Sequence, residues 1–214
     1  MANLTQKAER ILDALDVRYP NARCELDFGS PFELLVAVIL SAQCTDKRVN
    51  AVTDVLFGVA NTPEAFAVMP QEELEGYIRS CGFFRSKAVA IISASRDIID
   101  KFGGRVPDTL EDLTSLRGVG TKTAKVVLNN VYDVPVVAVD THIFRTARRL
   151  GLSDGKTPDA VSADLERIVP DRYRLSCHHL LIFFGRYCCK SQRPLCGECP
   201  VVGECGEVNI KYKL

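Results

Sequence analysis

Leu116-Arg-Gly-Val-Gly-Thr-Lys-Thr-Ala-Lys125 lies between two stretches of helical periodicity and decides how the chain is read. Gly118 and Gly120 flank a single apolar residue, Val119. Two glycines so placed permit a tight turn and let the backbone come close to another chain. The helix that follows points its first unsatisfied N–H groups, and the positive end of its dipole, at that turn, which suits a phosphate oxygen. Such a hairpin grips a nucleic-acid backbone and leaves the bases unread. Gly-x-Gly alone also describes a helix end followed by a tight αα-turn. The frame L-x-G-x-G-x-x-T-A is more specific.

Lys122 falls two residues past Gly120, in the first turn of the new helix. The dipole disfavours a cation there and so favours the free amine. A free lysine amine can attack a carbonyl-like carbon and form an imine, whereas an ammonium would contact phosphate. The residues alone leave both roles open. Asp140 follows 18 positions later in VAVDTHIFRTARRL. It stands where an N-cap for a helix over 141–150 belongs, and its carboxylate could also stabilise a developing sugar cation or accept a proton. The two roles are compatible. His142, His178 and His179 read as structural, and no Ser-His-Asp or His-Cys arrangement is suggested.

Outward from the hairpin, apolar residues recur at three- and four-residue spacing over 5–17, 31–42, 47–57, 71–80, 86–102, 121–131, 142–150, 158–169 and 173–186. Glycine and proline punctuate the gaps. Val134–Val139 alternates like a strand but stands alone, and it reads as a buried linker. The expected fold class is all-α.

The tail carries Cys189, Cys196, Cys199 and Cys205, spaced C-x6-C-x2-C-x5-C. Four soft thiolates satisfy a tetrahedral zinc or the corners of an iron–sulfur cluster. The six-residue gap matches neither paired C-x2-C ribbons nor common ferredoxin spacings, so spacing leaves the metal open, with a cystine-stapled tail as a third reading. The other cysteines, Cys24, Cys44, Cys81, Cys177 and Cys188, sit among apolar neighbours, where a free thiol behaves as a small core residue. That pattern fits a reducing cytoplasm.

The 214 residues are 47% apolar, an ordinary globular composition. No apolar run reaches membrane-spanning length, and MANLTQKAERILDAL reads as an amphipathic helix and not a signal peptide. Net charge is zero but unevenly spread: residues 1–114 carry 12 basic against 17 acidic side chains, and residues 115–194 carry 13 against 7. The second stretch would attract a polyanion, although such an imbalance also describes a solvated surface.

LRGVGTKTAKVV, VDTHIFR, CHHLLIFFGRYC and the four-cysteine tail, with SAQCTD at 41–46 and GFFRSKA at 82–88, occur in one order along nearly the whole chain. The chain resembles the endonuclease III family, bifunctional DNA glycosylases of the helix-hairpin-helix superfamily. The resemblance implies two helical domains with the active site in the cleft between them. One is a six-helix barrel over 24–134 carrying the hairpin; the other, from 1–23 and 135–214, holds a 4Fe-4S cluster. The cluster ligands would be Cys189, Cys196, Cys199 and Cys205, since Cys188 does not give the family's gap. Lys122 maps onto the nucleophile and Asp140 onto its carboxylate partner. Gln43 would fill the gap left by an extruded nucleotide, opposite a wedge at Phe83, where the family is typically aliphatic. Gly118, Val119, Gly120, Lys190 and Arg193 would hold phosphates. Lys125 is a positive charge added to the usual pattern, and Thr45–Asp46 reads as a helix start. The implied activity is removal of oxidised pyrimidines from damaged double-stranded DNA through a lysine Schiff base, with nicking by β-elimination. The implied protein is a monomer in the cytoplasm, associated with the nucleoid and not with membrane. Two rivals are a monofunctional adenine or mismatch glycosylase that uses water, which Lys122 argues against, and a non-catalytic iron–sulfur DNA-binding protein.

Overall fold

Helices run through the computed structural model, which describes residues 2–206; there is no strand among them. In chain order they are α1 (Ala2–Arg18), α2 (Pro31–Ser41), α3 (Asp46–Val59), α4 (Pro63–Val68), α5 (Gln71–Ile78), α6 (Phe84–Phe102), α7 (Leu110–Ser115), α8 (Thr121–Tyr132), α9 (Thr141–Arg149), α10 (Pro158–Ile168) and α11 (Cys177–Tyr187). Short 3-10 turns follow at Asp171–Tyr173, Cys196–Glu198 and Val202–Glu204. The chain divides into two units, Cys24–Tyr132 and the pair of stretches Met1–Arg23 with Asp133–Leu214. Residue 1 and residues 207–214, which belong to the cluster domain expected from the sequence, lie outside the described residues. No described helix is long and apolar enough to cross a membrane.

In the continuous unit, α2 is apolar on every side, and Phe32 through Leu40 are all buried, as a central helix requires. Ser30 starts it by accepting the Glu33 N–H at 3.1 Å, with Pro31 at the first helical position. Buried Glu33 accepts from the Gly29 N–H and from Asn61 Nδ2, so its carboxylate is not left unsatisfied. The longer α6 buries Ala88, Ile91, Ala94, Ser95 and Ile98 along one stripe. It ends at Gly103, φ +61°, where the Gly104 N–H returns to Ile98 O at 3.0 Å. Each large aliphatic side chain so buried contributes about 1.5–3 kcal/mol.

The discontinuous unit is built on the same rule. Ala8, Ile11, Leu12 and Leu15 of α1 join Ile143 and Ala147 of α9, Val161 and Leu165 of α10, and Leu180, Leu181 and Phe184 of α11 in one core. Polar ties pin α1 from outside: Asp13 accepts from Arg172 and from the Tyr173 hydroxyl, and Arg10 pairs with Glu204 at 2.7 Å. The stretch that alternates like a strand is an extended linker, with Val137, Ala138 and Val139 buried. The backbone of Val137 is satisfied by side chains of α10: Glu166 accepts its N–H at 2.9 Å, and Ser162 donates to its O at 2.7 Å.

Two helices escape the periodicity reading. Both α4 and α7 have six residues, under two turns, too short for a repeat to show. Their caps were nevertheless in the sequence: Thr62 accepts the Ala65 N–H at 3.3 Å, and Thr109 accepts the Asp112 N–H at 3.1 Å.

Candidate functional site

The segment between α7 and α8 is a tight turn closed by Val119 N–H to Leu116 O at 3.1 Å. Leu113, Leu116, Val119 and Ala124 are buried, so the apolar residues of the turn hold it down while Arg117, Gly118 and Gly120 stay exposed. The two glycines differ. Gly118 has φ +82°, and a Cβ there would lie 2.6 Å from Cβ of Ala90 on α6. Both conformation and space forbid a side chain. At Gly120 a Cβ would meet no atom within 4 Å. Packing makes no demand on that glycine, and its backbone is open to approach. Lys122 is exposed in the first turn of α8, two residues on.

Asp140 caps α9 as expected: its Oδ1 accepts the Ile143 N–H at 2.8 Å, with φ −102° and ψ −174°. Oδ2 takes no part in the cap. Lys122 belongs to the continuous unit and Asp140 to the discontinuous one.

Gln43 and Phe83 share an unusual backbone. Four non-glycine residues among those described have left-handed φ: Gln43 (+56°), Phe83 (+57°), Asp133 (+50°) and Arg193 (+50°). Three of these are positions nominated from the sequence for DNA contact. The conformation costs an L-residue roughly 1–2 kcal/mol, and such strain collects at functional sites. Both Gln43 and Phe83 are exposed, Phe83 by 74% despite its apolar ring. Their loops are neighbours, since a Cβ on Gly82 would stand 3.6 Å from Gln43 O. Cys44 and Cys81 stand beside each other on the same two loops, and burial, with Cys44 close by, pushes the Cys81 thiol up to about 11. Cys24 and Cys44, read from the sequence as core residues, are only half-buried.

Sequence reasoning passed over Lys87. Its Nζ donates to Leu40 O at 2.9 Å and Ala42 O at 2.7 Å, closing the C-terminal end of α2. Burial pushes its pKa down. The available signal was its register: with Ile91, Ala94 and Ile98 it falls on the buried stripe of α6, where an apolar residue belongs.

The four tail cysteines face the core of the discontinuous unit. Cys205 is buried in it, while Cys189, Cys196 and Cys199 are half-buried against it. Burial pushes the Cys199 thiol up to about 12 and raises that of Cys189 against the pull of Arg149. Arg149 Nη1 donates to Cys189 Sγ at 3.5 Å and to Lys190 O at 2.8 Å; Arg145 donates to Cys189 O at 3.0 Å and Gly185 O at 2.9 Å. Both arginines come from α9, four residues apart on one face, a signal present in HIFRTARR. They hold the loop by its carbonyls, and Lys190 and Arg193 remain exposed. Cys188 is buried, with its thiol toward Leu195 O at 3.7 Å. Among the described residues no three His, Cys, Asp or Glu side chains converge on a position that one metal ion could occupy. Soft thiols in apolar surroundings, one of them beside a guanidinium, form a donor set suited to an anionic thiolate-bound cluster.

Residues 36–171 match the model of the HhH-GPD superfamily of base excision DNA repair proteins. The chain is 47% identical over 203 residues to endonuclease III of Haemophilus influenzae, covering 95% of this chain and 96% of that one. Among solved structures it is similar to an endonuclease III in a non-covalent complex with DNA, with TM-score 0.92 and 43% identity over 98% of this chain and 99% of the other. It is also similar to an endonuclease III–DNA covalent intermediate trapped as an estranged-adenine complex, with TM-score 0.91 and 44% identity over 96% and 97% of the two chains.

Proposed function

The chain belongs to the endonuclease III family of HhH-GPD base excision DNA repair proteins, and on that premise we propose how its residues divide the work of a bifunctional DNA glycosylase and abasic-site lyase. The substrate is double-stranded DNA bearing an oxidised pyrimidine. Gly118 and Gly120 present exposed backbone N–H groups to a phosphate, while Val119, expected from the sequence to join them, is buried with its own N–H spent on Leu116 O and anchors the turn; Lys190 and Arg193 add positive charge along the strand. A base in the stack is out of reach, so its nucleotide swings out. Gln43 and Phe83 fill the emptied stack, offsetting an unstacking cost of about a few kcal/mol. As a bulkier wedge than an aliphatic one, Phe83 bears on the choice of opposite base.

Lys122, as the free amine, attacks C1′ of the deoxyribose, forming the C–N bond as the bond to the base breaks. Asp140 stabilises the cationic sugar and takes the proton the amine loses. The sugar ring opens to an imine between C1′ and Nζ. Loss of a proton from C2′ then expels the 3′ phosphate, which breaks the strand by β-elimination. Water releases Lys122. What supports this reading is the exposed Lys122 amine in the first turn of α8, two residues from the open backbone of Gly120. A relative trapped covalently on DNA is consistent with it.

Cys189, Cys196, Cys199 and Cys205 would hold a 4Fe-4S cluster through their thiolates. When bound it cross-links a loop whose only regular structure is two 3-10 turns. The protein acts as a monomer on the nucleoid in the cytoplasm.

Borohydride reduction tests the nucleophile. Wild type should be trapped covalently on duplex containing an abasic site and should nick thymine-glycol duplex but not undamaged duplex. Lys122→Ala should give no adduct and lose at least about 10³-fold in nicking. Absence of an adduct with Lys122 intact would instead favour a water-using glycosylase.

A further inference from the structure

Gln43 and Phe83 stand forty positions apart in sequence, yet their loops adjoin and each is held in a left-handed conformation that residues with a Cβ avoid. Neither loop has a glycine at the strained position to make it easy. Something must over-determine both, and the hydrogen bonds point to one side chain.

We propose that Lys87 is a positioning residue for base extrusion: it locks the Gln43 turn to the start of α6, so that Gln43 and Phe83 are presented together. The inference rests on the reading that these two residues fill the stack.

The backbone N–H of Lys87 donates to Phe83 O at 3.1 Å, the first bond of α6 and the one that fixes where Phe83 leaves the helix. Its Nζ then crosses 45 residues of sequence to Ala42 O, the carbonyl immediately before Gln43, and reaches Leu40 O two residues earlier. One residue therefore touches the backbone on both sides of the pair. Its side chain sits in the interior at 6% exposure. A methionine or leucine would fill that register of the α6 stripe without burying an amine, so packing of the stripe alone leaves the amine unexplained. Its partners explain it: the carbonyls at the end of α2 have no helical donors left and carry the negative end of the dipole. The Cys44–Cys81 contact adds a second tie between the same loops, but among the described residues Lys87 alone bonds both the residue flanking Gln43 and Phe83 itself.

The test uses the holoenzyme and Lys87→Met, which keeps length and apolar fit and removes the donors. Substrates are thymine-glycol duplex and a single-stranded abasic oligonucleotide, which has no stack to refill. A 2-aminopurine opposite the lesion reports opening of the duplex. In Lys87→Met, single-turnover excision from duplex should fall about tenfold and the 2-aminopurine signal should weaken, with single-strand cleavage within about twofold of wild type. Lys87→Arg, which restores donors, should recover part of the duplex rate. Equal losses on both substrates, or no loss on duplex, would overturn the proposal. Should Lys87→Met lose its helical circular dichroism, Lys87→Leu, which also lacks donors, replaces it and must show the same selective loss. Gln43→Ala and Phe83→Ala are run beside it. If they leave the duplex rate and the fluorescence unchanged, the stack-filling reading fails; if they lower both and Lys87→Met does not, only the present inference fails.

Discussion

The loops around Gln43 and Phe83 and the loop from Cys188 to Cys205 both hold irregular backbone against a helical core, by opposite means. The first pair is self-sufficient: one buried amine satisfies the end of α2, two thiols meet, and strain is confined to two residues. The cysteine loop is held at its start by guanidinium groups of α9 on the carbonyls of Cys189 and Lys190, and on the proposed reading its thiols would give up their protons to a cluster that ties the rest. One region is tied by contacts of the folded polypeptide alone; the other, on the proposed reading, draws part of its stability from a cross-link through its cysteines. Stability should therefore be divided unequally, and in ways that can be measured.

The widest split is expected from the thiols. Cys199→Ser should abolish the visible absorption of the cluster and destabilise the discontinuous unit by at least about 3 kcal/mol, while Cys188→Ser, beside the ligands but outside their spacing, should retain the absorption. Loss of colour in both would break the ligand assignment. In the continuous unit, Gly118→Ala should cost about 2–4 kcal/mol in urea unfolding, from φ +82° and the 2.6 Å approach to Ala90. Adding Ala90→Gly should recover the steric part only, and Gly120→Ala should cost under about 1 kcal/mol.

Acid should separate the units next. All three histidines lie in the discontinuous unit. Burial holds His179 at about 4, below its ordinary 6.5, and pushes His178 well down too. The unfolded chain takes these protons first, so the contribution is fully present above about pH 6.5 and is lost as pH falls toward 4. Unfolding followed separately in each unit should show the discontinuous one weakening by on the order of 2–3 kcal/mol over that window. Equal loss in both would show that the histidines are not responsible. The smallest effect on stability, with a large one on chemistry, is expected at Asp140. Asparagine caps a helix about as well as aspartate, so Asp140→Asn should change stability by less than about 0.5 kcal/mol, whereas Asp140→Ala should cost about 1 kcal/mol. Both should slow nicking by about 10²-fold if the carboxylate handles charge at the sugar.

Every helix of eight residues or more was legible as apolar periodicity, because burial of one face is a local, repeating demand on the sequence. Asp140 could be placed as a cap for the same reason: the interaction spans three residues. What stayed hidden depends on partners distant in sequence. Nothing near Gly118 announces that Ala90 excludes its side chain, and nothing near Gly120 announces that its own surroundings are open. Lys87 reads as an irregular charge in an apolar stripe until Leu40 and Ala42 supply the carbonyls. The left-handed turns at Gln43 and Phe83 were invisible because no glycine marks them. Arg145 and Arg149 contributed to a basic stretch, but the sequence does not say that their charge is spent on the cysteine loop.

The nested topology also imposes an order in time. Cys24–Tyr132 is unbroken and can close as it leaves the ribosome, whereas α1 must wait for α9, α10 and α11 before Ile11, Leu12 and Leu15 find their neighbours. During synthesis that first helix is an apolar stripe without a home, tethered to a finished neighbour, and delayed translation beyond Tyr132 would lengthen its exposure to chaperones and proteases.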